Sequence, residues 1–262
     1  MLILIILNFN GQDSLKASID SVLAQTLKPD RFVVIDNAST DDSRQIAIDM
    51  GVEVVDADNK YKFITGLNTA INLNTGLLFF MQNDVTLEKD CLKDMIKNCP
   101  SNHFIVQPVI YQPDGKIDNS GMDIYWPGFG YRRSNKWWSD FEYQDCGLVT
   151  TICFLTDNKN VYYDKLFSPA YYEDIDFALR TKPLLKHVLI PTASATHLGN
   201  HTFSQTLKKK QISKICYDNR CKLVRKHYSG LDRLLRLLVI HVAQFCSMTL
   251  TFSHNISKTA GA

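Results

Sequence analysis

The sequence predicts an α/β domain built on a mainly parallel sheet with helices on both faces. Three observations lead there. Short apolar runs alternate with helix-spaced segments through the first part of the chain. The runs are apolar at nearly every position, as strands buried on both faces are. Asn or Asp follows each of them, at the sheet edge where ligands of such folds sit. The 262 residues, 45% apolar and 21% charged, are enough for one large domain or one domain plus an appendage.

Residues 2–7 read as the first strand. Residues 14–24 follow as a helix with Leu15, Ile19, Val22 and Leu23 on one side. A second strand over 32–35 leads to a helix over 39–50, with Ser39 as its N-cap and Asp41 and Asp42 in its first turn. Residues 52–55 make a short strand, 65–72 a helix, 77–81 a wholly apolar strand and 89–98 a helix. Residues 123–145, DIYWPGFGYRRSNKWWSDFEYQD, are dense in aromatics and turn formers. They read as an extended hairpin or a loop over the cleft. Residues 147–156 read as a strand. The acid-rich stretch YYEDIDF (171–177) comes next, then KHVLIPTASATHLGNHT, a strand leading to His197 and His201.

Seven scattered cysteines with no CxxC pair suggest free thiols and a reducing compartment. The apolar start is too short for a signal peptide and reads as a buried strand. No GxGxxG, GxxxxGK[ST] or GxSxG is present, so a nucleotide would be held by side chains rather than by a glycine loop.

Polar residues gather at the strand ends: Asn8 and Asn10, Asp36 and Asn37, Asn59, and Asn83 with Asp84. Each alone is ordinary turn chemistry; together they favour a binding cleft. The stretches ILNFNG, FVVIDNASTDDS, TGLNTAI, TGLLFFMQNDV, YYEDIDFALR and PTASATHLGNHT occur in one order. Together they resemble the glycosyltransferase family 2 enzymes of GT-A (nucleotide-diphospho-sugar transferase) fold, in particular the bacterial rhamnosyltransferase-like branch. YDNRCKLVRKHYSG resembles the basic helix that often ends that branch.

The resemblance implies a Rossmann-like, mainly parallel mixed sheet over residues 1–204, with a donor-binding half to about residue 100 and an acceptor half after it. It implies transfer of a sugar, rhamnose among the candidates, from a UDP- or dTDP-sugar with inversion at the anomeric carbon. The acceptor would be a glycan or lipid-linked saccharide in cell-surface polysaccharide synthesis. Asp36 matches the position that contacts the nucleoside, its alternative being a cap for the next helix. Asn8 and Asn68 match positions lining the same donor pocket, with Gly66 kept beside them, and Asn59 and Asn83 are placed there by their strand ends. The family's GFAxGNN is represented by YKFITGLN, with Lys62 at a usual glycine and Gly66 kept. The usual D-x-D is Gln82, Asn83, Asp84, so only its last acid remains. Asp84, with His197, is the expected hold on Mn2+ or Mg2+ beside the donor diphosphate.

Asp174 matches the family's general base and Glu173 its neighbour. Asp176 stands four residues before Arg180, the spacing of a helix ion pair. A capped helix with acids at its positive end is the simpler account of this stretch taken alone. Trp126, Trp137 and Trp138, with Tyr125, suit the faces of acceptor sugars, or else pack the loop onto the body.

Residues 1–204 carry a net −7 and 205–262 a net +9. The tail is therefore read as a basic, amphipathic helical extension. It docks on the anionic inner face of the plasma membrane, or else packs on the body or in a homodimer. Nucleic-acid modules are absent. Two other functions compete: a catalytically degenerate sugar-nucleotide-binding or scaffold protein of the same fold, and a sugar-phosphate nucleotidyltransferase. The poor N-terminal loop NFNGQDSLK argues against the latter.

Overall fold

The computed structural model describes residues 1–57, 63–73, 76–136, 144–157, 161–199 and 208–259, with side chains up to residue 245 in the last segment. Strand β1 (Leu2–Asn8) is buried along its whole length. Its side chains alternate between two cores. Ile3, Ile5 and Leu7 enter one; Leu2, Leu4 and Ile6 enter the other. A strand that is apolar at every position needs cover on both faces. Helices α1 (Leu15–Leu23), α2 (Ser43–Asp49) and α4 (Cys91–Asn98) cover the Leu4 face. Helices α3 (Phe63–Asn72), α5 (Glu173–Thr181) and α6 (Lys209–His227) cover the Ile5 face.

Strands β2 (Arg31–Asp36) and β4 (Leu77–Gln82) flank β1 in parallel, and β3 (Glu53–Asp56) extends the edge beyond β2. The remaining strands are β5 (Val85–Leu87), β6 (Phe104–Tyr111), β7 (Ile117–Asn119), β8 (Met122–Tyr125), β9 (Phe129–Arg132), β10 (Gln144–Asp145), β11 (Cys153–Thr156) and β12 (Lys186–His197). The main sheet runs β10-β12-β6-β11-β4-β1-β2-β3. Because β11 enters antiparallel to both β4 and β6, the sheet is mixed, as expected. β8 and β9 form a separate hairpin, so residues 122–132 take the hairpin alternative for the aromatic segment.

Two sequence expectations shift, and a third is met through an irregularity. The second helix starts at Ser43, not Ser39, because Ser39 is engaged in the preceding turn by the carboxylate of Asp36. The strand expected over 147–156 shrinks to β11. The Val149 and Thr150 amides bond the side chains of His187 and Gln107 instead of a neighbouring strand. β12 runs on to His197 through a register shift between Ile190 and Ser194. That extension lets it pair antiparallel with the short β5, setting His197 opposite Val85.

The basic tail was expected to be an extension beginning at 205. Its first helix, α6, takes the alternative of packing on the body. Asn219 Nδ2, buried, lies 2.9 Å from each of the carbonyls of Phe167, Ala170 and Tyr171. Asp176 pairs with Arg180 as the spacing suggested, and its carboxylate also meets Lys226 Nζ at 2.6 Å and His227 Nε2 at 2.7 Å. Burial alone would raise this acid, but its bonds to His227, Lys226 and Arg180 hold it below the usual carboxylate range. Helix α7 (Gly230–Thr259) packs on α6 through Ile240, Leu237, Cys221 and Val224.

Asp176→Ala would leave the cations of Arg180 and Lys226 without this buried carboxylate, and His227 without its partner. We expect it to lower stability by about 3–5 kcal/mol, read by denaturant unfolding, whereas Asp232→Ala on exposed α7 changes it little.

Candidate active site

The carboxyl ends of β1 and β2 are in register, with Asn8 beside Asp36. Asn8 is fully buried. Its Nδ2 donates to Asp36 Oδ1 (2.9 Å) and Ser43 Oγ (2.8 Å), and lies 3.1 Å from Ser39 Oγ. Asn83 Nδ2 donates to Asn8 Oδ1 at 2.8 Å. Asp36 also accepts from the Ser39 hydroxyl (2.6 Å) and amide (3.0 Å). A buried carboxylate is thus fixed at the sheet edge by an internal polar network.

Asp84 and His197 meet because β5 pairs with β12. His197 Nε2 lies 3.3 Å from Asp84 Oδ2, and His197 Nδ1 lies 2.9 Å from Asp118 Oδ2 on β7. Burial favours the neutral imidazole, but the hydrogen bonds to Asp118 and Asp84 outweigh it and raise His197 to about 9. Asp84 Oδ1 is buried with no partner. Leaving a charged oxygen unsatisfied costs free energy, so this atom fits a divalent cation. Among the described residues no group of three or more His, Cys, Asp or Glu is placed to hold a metal. The cation would be held by Asp84 and His197 with oxygens from a ligand.

The acidic pair opens α5. Tyr171 and Tyr172 just before it both have left-handed backbone, φ 71° and 72°. Such backbone is strained for residues with side chains. Asn219 takes up the carbonyls around it, and Arg220 Nε donates to the Tyr172 hydroxyl at 2.5 Å. Glu173 is buried and its Oε2 has no partner. Burial, and then the charge of Asp174, raises Glu173 to about 8. Asp174 is also raised by burial, and the Arg132 guanidinium pulls it back. The Tyr163 hydroxyl, buried and unpaired, is raised by burial and by the charges of Glu173 and Asp174.

Arg132 ends the β8–β9 hairpin. Its strand partners place it on the face shared by Met122, Ile124 and Gly130. A Cβ on Gly130 would stand 2.5 Å from Ile175 Cδ1, so glycine lets the hairpin lie close on α5, next to Asp174. Arg132 Nη1 is also 3.7 Å from Asp118 Oδ2. One guanidinium therefore approaches Asp118 and acts electrostatically on Asp174.

The donor-side residues divide. Asp36 stands at the strand end. The amides of Asn8 and Asn83 are engaged with each other and with Asp36, so the direct pocket contact expected of them becomes support for Asp36. Asn68 makes a two-point pair with the Tyr163 backbone, Nδ2 to O at 2.9 Å and N to Oδ1 at 2.7 Å. A Cβ on Gly66 would stand 2.5 Å from Leu7 Cδ1, so this glycine serves helix–strand packing. Both were expected in the donor pocket, and both have packing partners inside the protein. Trp126 and Tyr125 are half exposed on the hairpin, with Tyr125 edge-on to Tyr131. Asn59, Lys62, Trp137, Trp138 and His201 lie outside the described residues. Asp118 and Arg132 escaped sequence reasoning. Asp118 sits in a Gly/Asp-rich turn sequence and its partner lies 79 positions away.

The sequence profile described as Glycosyl transferase family 2 matches residues 3–151. A search of curated protein sequences found no match. Among solved structures, S. aureus TarS 1–349 in complex with UDP-GlcNAc is similar at 14% identity, with a TM-score of 0.59, over 92% of this chain and 72% of that one. The mannosyltransferase PcManGT from Pyrobaculum calidifontis, in complex with GDP-Man and Mn2+, is similar at 11% identity, with a TM-score of 0.59, over 99% and 79%. Glucosyl-3-phosphoglycerate synthase from Mycobacterium tuberculosis, in complex with Mn2+, UDP and phosphoglyceric acid, gives 11%, 0.56, 88% and 80%. The chain spans 43% of a longer S. aureus TarS structure. The shared architecture is the GT-A fold.

An acid raised on folding favours the folded state at low pH and disfavours it as pH climbs through its folded value. Glu173→Gln should therefore melt higher than the parent at pH 9, and the two should converge towards pH 5. Thermal melts across this range check it; a gap that is constant with pH contradicts the buried, raised acid.

Proposed function

Because the chain belongs to glycosyl transferase family 2, we propose that it transfers a sugar, with inversion, from a nucleotide-diphosphate donor to a glycan or lipid-linked saccharide. The observation that carries this reading is Arg132, which lies 3.7 Å from Asp118 of the Asp84–His197–Asp118 chain and acts electrostatically on the Asp174 carboxylate. On this reading a site for a leaving diphosphate and a site for an acceptor hydroxyl share one cleft. UDP, UDP-GlcNAc and GDP-Man in the similarly folded proteins support a donor of that class. UDP- and dTDP-sugars, rhamnose included, are the proposed donors, and cell-surface polysaccharide synthesis the setting.

Asp36 accepts hydrogen bonds from a base N–H or a ribose hydroxyl, held in place by Asn8 and Ser39. Asp84 and His197 would hold Mn2+ or Mg2+, which supplies charge neutralisation for the departing diphosphate. Asp174 takes the proton of the acceptor hydroxyl during in-line attack. Burial makes it more basic, and the Arg132 guanidinium opposes that rise. Glu173, beside it, orients the acceptor. Tyr125 and Trp126 offer ring faces to sugar C–H groups.

Helix α7 presents Leu231, Leu234, Leu235, Leu238, Val239 and Val242 to solvent along one stripe. Lys209, Lys210 and Lys214 of α6 are exposed as well. Among the described residues no helix is long and apolar enough to cross a membrane. An apolar stripe with a basic neighbour fits an anionic leaflet. We assign the protein to the cytoplasmic side of the plasma membrane, bound peripherally, where a lipid-linked acceptor would be presented.

One observation favours a second reading, a binding protein without turnover. Gln82 stands where the family's first acid is usual, and its amide donates to Thr151 O at 3.2 Å.

Asp174→Asn should lower transfer by at least about 100-fold while leaving the donor dissociation constant unchanged by calorimetry; full turnover by this variant removes Asp174 as base. A parent protein that binds donor but transfers to no acceptor in a broad panel supports the second reading. Leu234→Glu with Leu238→Glu should abolish cosedimentation with vesicles containing anionic lipid. If the pair instead dissolves a dimer by light scattering and leaves sedimentation intact, the stripe is a subunit interface.

A further inference from the structure

We infer that Asp118 is a positioning residue for cation binding: it fixes the His197 ring so that Nε2 faces Asp84 and the ion held there. The inference rests on the reading of Asp84 and His197 as cation ligands and adds a residue that neither composition nor motif indicates.

An imidazole ligates a metal only through a nitrogen that carries no hydrogen, and the hydrogen bond made by the other nitrogen decides which one that is. Here the geometry decides it. Nδ1 lies 2.9 Å from Asp118 Oδ2 and donates its hydrogen there. Nε2, on the far side of the ring, points towards Asp84 Oδ2 at 3.3 Å. The Asp84 carboxylate keeps its other oxygen buried and unpartnered. Asp118 itself is held. Its side chain is only 16% exposed, it sits on β7 hydrogen-bonded to β6, and Arg132 approaches its Oδ2. It stands behind the ring rather than beside Asp84. It is therefore not a third ligand, consistent with the absence, among the described residues, of any three-residue metal-holding group.

Strand topology explains how the pair forms. β6 lies between β7 and β12, pairing Ile110 with Asn119 on one side and Tyr111 with Thr196 on the other. The side chains of Asp118 and His197 meet across the end of β6.

The test measures Mn2+ affinity by electron paramagnetic resonance, with Mn2+ alone and with Mn2+ plus UDP, for the parent, His197→Ala, Asp118→Ala and Asp118→Asn. Melting curves establish that each variant folds. The nearly isosteric Asp118→Asn, which keeps an acceptor oxygen for Nδ1–H, serves if the alanine variant does not. We expect Asp118→Ala to weaken Mn2+ binding about 10–100-fold, the range for losing such an outer partner, and Asp118→Asn to fall between it and the parent. UDP binding without metal should not change. Nitrogen-15 NMR of the metal-free imidazole at about pH 10, above the raised value of His197, should show the hydrogen on Nδ1 in the parent and a shift of tautomer in Asp118→Ala. If His197→Ala weakens Mn2+ binding but both Asp118 variants stay within about twofold of the parent, the inference is overturned and the cation reading survives. If the parent binds no Mn2+ in either condition, or His197→Ala binds it unchanged, the cation reading itself fails and takes the inference with it.

Discussion

Strand β1 has no solvent face, and most of the molecule is arranged to satisfy it. Seven consecutive buried residues, split between two cores, demand helices above and below and a parallel strand on each side. Once β2 and β4 flank it in register, Asn8, Asp36 and the Asn83–Asp84 turn emerge at one edge. The polar network around Asn8 then replaces water at that edge. It satisfies the buried amides and carboxylate together, and leaves Asp36 fixed with little freedom to lose on binding. The preorganisation follows from the need to pair the buried side chains of Asn8 and Asp36 that end β1 and β2.

The second half of the chain places His197 and the acidic pair through two unusual local structures. A register shift inside β12 lets one strand serve the sheet and still deliver His197 to Asp84. Paired left-handed tyrosines aim the start of α5, and their strain is offset by Asn219 and Arg220 from α6. The tail is therefore not independent of the acids. The face of α6 that carries Asn219 and His227 supports α5, while Cys221 and Val224 carry α7. The surface proposed to meet lipid stands one helix away from the proposed base.

Much of this was legible in the sequence, for definite reasons. Continuous apolar runs and 3.6-residue spacing located the first four parallel strands and the helices between them, because burial on both faces leaves so strong a pattern. Glu173, Asp174, Asp84 and His197 were singled out by motif order, and the structure brings the last two within hydrogen-bonding range. What was not legible depends on contacts distant in sequence. Asn8, Asn83, Asn68 and Gly66 could be placed near the cleft from the strand ends. Whether their groups faced a ligand or each other depended on rotamers that no spacing encodes. Ser39 looked like a helix cap because capping and turn chemistry use the same residues. The further partners of Asp176 lay on a helix read as a separate appendage, and the pattern for 147–156 could not reveal amides that bond side chains.

The central claim is that this edge binds a sugar nucleotide and that a divalent cation assists. A thermal-shift titration of UDP-, dTDP- and GDP-sugars, with and without Mn2+, tests it most directly. At about 100 times its dissociation constant a ligand adds about 2.7 kcal/mol, a rise of a few degrees for a chain of this size. The account predicts such a rise for at least one sugar nucleotide, larger with Mn2+ and lost in Asp36→Ala. No rise with any of them, in either condition, would contradict it.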